Sequence, residues 1–181
     1  MSKVDRRIPK SQEAIKKAII ELMSEKSFDD ITIQDISNRA DVSRGTIYLH
    51  YTDKFDLLDK LIASHINELH KMCKSVTELN YRSLLLIWCK YFENNYLFFS
   101  TMLASKGAPY FRNRFIDLVT YKLEDEVNVT EGVNSGLRKD AVKQFLGQAI
   151  VGLIEWWFIN GMPFSPDILA EHLGALIERN L

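Results

Sequence analysis

The run TIQDISNRADVSRGTIYLH, residues 32–50, constrains this chain more than any other segment, because it compresses two short amphipathic helices and one tight turn into a single stretch. Thr32, three residues ahead of Asp35, reads as an N-cap with an acidic first turn. Ile33, Ile36 and Ala40 then fall on one side of a helix that ends near Ala40. Asp41 and Val42 make the turn, and Ser43 caps a second helix expected from Arg44 to about His50. Two such helices, each with a small or apolar inner face, describe a helix-turn-helix.

The flanking sequence is helical as well. From about Ser11 to Ser27, Ile15, Ala18, Ile19, Leu22 and Met23 recur on one helical face, and Phe28 with the following aspartates ends it. Asp53 is expected to cap the next helix, with Asp56 at N3. Leu58, Leu61, Ile62, His65, Ile66, Leu69, Met72, Cys73 and Val76 then hold a 3–4 spacing, a rod of roughly 36 Å that links a head to a body. Tyr81 to about Ser105 is apolar almost all round and reads as a central helix, which KGAP ends. Phe111, Phe115, Leu118, Val119 and Leu123 mark the next helix, and VTEGVNSG is a loop. A helix from about Leu137 to Asn160 leads into NGMPFSP, where Ser165 and Pro166 start a last helix running to about Arg179. The expected fold class is all-α, with roughly nine helices and no strands. A three-helix head spans residues 1–56 and a helical body spans residues 57–181. Only four prolines and eight glycines agree with helices joined by short turns.

Charge does not decide the function. The net charge is −1, and residues 1–60 carry eleven basic and eleven acidic side chains. Nucleic-acid binding therefore has to rest on basic groups placed locally. Residues 1–17 do hold six basic groups against Asp5 and Glu13. Cys73 and Cys89 show neither metal spacing nor a disulfide framework, and His70 with Cys73 lacks a second ligand pair. His65, on the apolar stripe, reads as a hydrogen-bonded core histidine. No nucleophile elbow, phosphate loop, zinc-protease or dinucleotide-binding pattern is found, so no enzyme, no metal and no cofactor is expected. The start of the chain has no signal-peptide core, and the apolar run Ala149–Ile159 is about half a membrane span, so the expected location is the cytoplasm, with no membrane partner.

The stretch TIQDISNRADVSRGTIYLHYTDKFDLL resembles the DNA-binding signature of the TetR family of transcriptional regulators, most specifically in VSRGTIYLHY, Lys54 and the Leu57–Leu58 pair. The resemblance implies that the helix from Ser43 to His50 enters the major groove of operator DNA. Arg44 then pairs with guanine and Thr46 touches a base edge, while Tyr48, His50, Lys54 and the hydroxyl of Thr32 clamp phosphates. Gly45 near the start of a short helix costs about 1 kcal/mol against alanine, and close approach of backbone to DNA gives it a reason. Arg6 and Arg7 are expected to add contacts outside the main footprint. Asp41 stands where the family commonly has glycine, and aspartate tolerates left-handed geometry. Phe55 stands where an acidic residue is usual, and packing against the first helix is expected of it. The ending WFINGMPFSPDILAEHL is similar to the C-terminal region of a subset of TetR-like regulators from low-GC Gram-positive bacteria.

One recognition helix reads only a few base pairs, so two-fold duplication is expected to supply the rest of the discrimination. AIVGLIEWWFI, residues 149–159, is apolar on both faces. One face, with Leu146, Ala149, Leu153, Trp156 and Trp157, can pack on the core, and either face could be the intermolecular one. The expected homodimer contact is Gly147, Val151, Ile154 and Phe158, with Leu169, His172, Leu173 and Leu176 of the last helix, the two glycines 147 and 152 allowing close approach. The cluster Trp88, Tyr91, Phe92, Phe99, Phe111 and Phe115 reads as aromatic core. As the wall of a sensor pocket it would favour a hydrophobic or planar small-molecule effector. The function expected is a repressor released from its operator by such a ligand, through a shift of the rod helix. The alternative is control of the same fold by a protein partner, signalled by a filled core and an exposed apolar patch.

Overall fold

A computed structural model of the chain describes residues 7–74, 81–104 and 109–181; Arg6, Val76, Ser105 and the first part of KGAP, with the side chains of Arg7 and Cys73, lie outside the described residues. Among the described residues the chain has nine α-helices, two single 3-10 turns and no strand. The helices are α1 (Arg7–Glu25), α2 (Ile33–Ala40), α3 (Arg44–Tyr48), α4 (Lys54–Lys74), α5 (Tyr81–Asn94), α6 (Tyr96–Ala104), α7 (Pro109–Lys122), α8 (Lys139–Ile159) and α9 (Pro166–Glu178). None of them is long and apolar enough to cross a membrane. The chain divides into two compact units, one up to His65 and one from Ile66, with the division inside α4.

In the first unit, α1 is already helical at Arg7, the first residue described, ahead of the expected start near Ser11. Ile15, Ala18, Ile19 and Leu22 are buried as the periodicity predicts. A 3-10 turn at Phe28–Asp30, absent from the sequence reading, leads to the buried Ile31. Arg39 ties α2 to α1 through a bidentate pair with Glu25, at 2.9 and 2.7 Å. Ile36, Ile47 and Leu57 are fully buried and complete the small core. Phe55, expected against α1, instead sets its ring edge-on to Phe28 of the 3-10 turn, with centroids 5.3 Å apart.

In the second unit, the single helix expected over 81–105 is two helices broken at Asn95. The Asn95 side-chain amide donates to Tyr91 O at 2.9 Å, and its N–H is shared between Tyr91 O and Phe92 O. That competition for the last carbonyls ends α5. α5 packs along α9, and α8 packs against α6 and α7. Between α5 and α9, Arg82 forms two bonds with Glu178 at 2.9 and 2.8 Å, its stem lying over Gly174. At the end of α8, Gly161 and Met162 both take left-handed φ, and Trp157 Nε1 donates to Phe164 O at 2.8 Å. Ser165 then caps α9, with Pro166 in its first turn.

Candidate nucleic-acid interface

The local bonds of α2 and α3 are those a rigid helix-turn-helix needs. Thr32 and Asp35 form a reciprocal capping box: Asp35 N donates to Thr32 Oγ1 at 3.1 Å, and Thr32 N donates to Asp35 Oδ2 at 2.8 Å. The Thr32 backbone N–H, then Lys26 and the Thr32 hydroxyl, hold the Asp35 carboxyl down to about 2. Asp41 ends α2 in the left-handed region at φ 52°, as its chemistry allows, and the Ser37 hydroxyl donates to Val42 O across the turn at 2.6 Å. Ser43 Oγ accepts from Thr46 N at 3.1 Å and caps α3, with the Thr46 hydroxyl 2.9 Å away.

α3 stops at Tyr48, with Leu49 and His50 in a following turn. Its inner side is anchored by Ile47, fully buried. Its outer side carries Arg44, Gly45, Tyr48 and Leu49, all exposed. Arg44 makes no hydrogen bond or ion pair with any described residue. At Gly45 an added Cβ would meet only Ser43 Oγ, at 3.7 Å, an ordinary contact. Nothing inside the subunit therefore demands glycine there.

The other expected contacts fare unequally. His50 Nδ1 lies 3.4 Å from the Gln12 amide nitrogen, which leaves ring Nε2 as a donor. Lys54 is different. Its Nζ donates to Phe28 O (2.9 Å), Asp29 O (2.8 Å) and Ile31 O (2.9 Å), and lies 4.9 Å from the Phe28 ring centre. All three ammonium N–H groups are engaged, so Lys54 is a clip between α4 and the 3-10 turn, with no donor left for a phosphate. The Thr32 hydroxyl proton is likewise directed at Asp35 Oδ2, at 2.8 Å. Leu49, which sequence reasoning passed over, is 80% exposed. An unbroken apolar run such as Ile47–Tyr48–Leu49 gives no hint which member faces out.

In the second unit, Trp88, Phe92, Phe99, Phe111 and Phe115 are all buried in one network of rings, with Phe92 at its centre, 4.8 Å from Phe99 and 5.6 Å from Phe115. Tyr91, half-buried, sits edge-on to Phe99 at 5.8 Å, and burial, with the nearby Glu68, pushes its phenol up to about 12. Trp88 Nε1 is buried without a hydrogen-bond partner. Cys89 is buried as well, which pushes its thiol up to about 12, where it is unreactive. Among the described residues no group of His, Cys, Asp and Glu can hold a metal, and His70 stacks on Tyr121 at 5.6 Å.

The expected dimer face is corrected. Gly147, Val151, Ile154 and Phe158 of α8, and Leu169 and Leu173 of α9, are buried inside the subunit; only His172 and Leu176 are exposed. The reason lies in α7: a Cβ on Gly147 would come within 2.7 Å of Thr120 Cγ2, so this glycine serves an intramolecular close approach. The opposite face of α8 is the free one. Phe145 (65% exposed), Ala149, Trp156 (46%) and Ile159 lie along it, and a Cβ on Gly152 would meet nothing within 4 Å.

A capped helix-turn-helix with an open outer face, followed by a second unit that is all helical among the described residues, is the architecture of helix-turn-helix regulators. Residues 15–61 match the profile of bacterial regulatory proteins of the tetR family, and residues 80–179 match a transcriptional regulator C-terminal region profile. The chain belongs to the TetR family. It is 24% identical over 174 residues to the HTH-type transcriptional regulator YxbF of Bacillus subtilis, covering 93% of this chain but only 44% of that relative's length. The crystal structure of a TetR transcriptional regulator from Streptococcus agalactiae superposes with a TM-score of 0.73 at 28% identity, over 96% of both chains. NalD, the secondary repressor of the MexAB-OprM multidrug efflux pump in Pseudomonas aeruginosa, shares the fold at 22% identity and a TM-score of 0.73, over 97% of this chain and 98% of its own.

Proposed function

We propose that the chain is a homodimeric repressor that reads its operator with the outer face of α3 and is released by an apolar effector held in the second unit. The observation that carries the DNA reading is the set Arg44, Gly45, Tyr48 and Leu49, exposed together on a helix whose caps and turn are fully bonded. Arg44 pairs with guanine, Thr46 and Tyr48 line the groove, and His50 Nε2 and the Tyr48 hydroxyl hold phosphates. Lys54 supports the head from behind.

Dimerisation on the free face of α8, with His172 and Leu176 of α9, duplicates the reading helix and removes Phe145 and Trp156 from water. Control by a small molecule is favoured by Trp88, whose indole N–H is buried in the filled ring network without a partner, at a cost of about 1–3 kcal/mol, so that an effector has to open that network to reach it. A ligand with an acceptor group beside an apolar body relieves that cost. α4 is continuous from one unit into the other and is the element such a ligand biases. A second reading, control by a protein partner, is favoured by a surface groove of about 420 Å3 lined by Leu137, Arg138, Ala141, Val142 and Phe145.

In vitro transcription from the promoter flanking the gene tests the proposal. Added protein should lower transcript yield, and a small hydrophobic compound carrying a hydrogen-bond acceptor should restore it while shifting the Trp88 indole N–H resonance. Transcript yield that rises with added protein contradicts the repressor reading. Restoration with an unmoved Trp88 resonance contradicts the effector site.

A further inference from the structure

Leu49 is more exposed than any other large apolar side chain among the described residues, and the head's own packing makes no use of it. It closes α3 with helical φ and ψ, and its N–H bonds to Gly45 O at 3.0 Å. Leu49 therefore stands one turn beyond Gly45 on the same row of the helix. Arg44 and Tyr48, four apart, form the adjacent row. The Gly45–Leu49 row begins flush with the backbone and ends in a projecting isobutyl group. A helix of that profile sinks into a groove at its glycine end and leads with its leucine one turn later.

A leucine neither donates nor accepts hydrogen bonds. Of the groups that base pairs display in the major groove, only the thymine C5-methyl is apolar. We propose that Leu49 is a specificity-determining residue that recognises a thymine through its methyl group. The inference rests on the reading of α3 as the DNA reader, and goes beyond it by assigning a base to a residue with no polar chemistry.

The test starts from the sequence that the wild-type protein selects out of random duplex DNA. Each thymine is then replaced in turn by deoxyuridine, which removes only the methyl group, and affinities are measured for wild type, Leu49→Ala and Leu49→Met. One thymine in each half-site should weaken wild-type binding roughly three- to tenfold when replaced. The same replacement should cost Leu49→Ala nothing further, whereas Leu49→Met, which keeps an apolar reach, should retain much of the effect. Equal losses in wild type and Leu49→Ala, or no methyl-sensitive thymine at all, would overturn the assignment and leave Leu49 as a base-indifferent contact. A selection that returns no preferred sequence would instead sink the reading of α3, and the inference with it.

Discussion

The two compact units are held together by interactions of different range. In the first, the bonds that shape the helix-turn-helix itself join near neighbours, Thr32 with Asp35, Ser37 with Val42, Ser43 with Thr46 and Asp53 with Asp56, with the Arg39–Glu25 pair and the Lys54 clip as longer ties. In the second, they join residues far apart in sequence: Arg82 with Glu178, Arg112 with Glu155, Gly147 against Thr120. The contrast sets where each unit keeps free surface. In the head, the outer row of α3 is what remains once short-range caps are made. In the body, the free face of α8 is whatever α6 and α7 leave uncovered. A change at a local bond should loosen the head alone, whereas a change on either face of α8 should have consequences that depend on which face it strikes.

The largest effect is expected on the uncovered face. Trp156→Glu places a charge in the proposed dimer contact and should give a monomer by sedimentation, with operator affinity down by more than about a hundredfold. A folded dimer formed by the Trp156→Glu variant would break the assignment of that face. The two glycines of α8 sharpen the same point. Gly147→Val drives a side chain into Thr120 and should destabilise the subunit by about 1–3 kcal/mol in denaturant titrations. Gly152→Val, with open space beside it, should leave the subunit's stability nearly unchanged and weaken only self-association. Similar stability losses for both would mean that α8 has no free face.

In the head, Lys54→Met removes the ammonium from three carbonyls, of which Phe28 O keeps the Ile31 N–H, and should cost about 1–3 kcal/mol of stability there. The slope of log affinity against log salt should stay at the wild-type value, because no phosphate contact is lost. A slope reduced by about one would restore Lys54 as a phosphate clamp. The smallest effect concerns acid. Asp35 is held at about 2 in the folded chain, below its ordinary value of 3.8. Its contribution is present above that ordinary value and is lost as pH falls through about 2. Asp35→Asn should therefore show a shallower loss of stability than wild type between about pH 4 and pH 2. Parallel acid profiles would show that the capping box has no part in it.

How far the sequence discloses all this follows the same division. Caps, the left-handed turn at Asp41 and the buried Ile15 and Ile36 are legible because their causes lie within one or two helical turns. The break at Asn95 is local too, yet an apolar run on both sides hides it. The occupied state of Lys54 is not legible, since its partners lie more than twenty residues upstream in a turn the periodicity does not reveal. Nor is the free face of α8. A helix apolar all round carries no mark of which side its neighbours will take.

The central claim is that the open face of α3 binds the operator, Arg44 reading a base and Tyr48 holding a phosphate. Footprinting on DNA flanking the gene, at fixed salt, tests it most directly with wild type, Arg44→Ala, Tyr48→Ala and the double variant. The wild type should protect one two-fold site, Arg44→Ala should lose sequence preference there, and the double variant should bind all sequences alike. Protection of the same site by the double variant, at wild-type affinity, would contradict the claim.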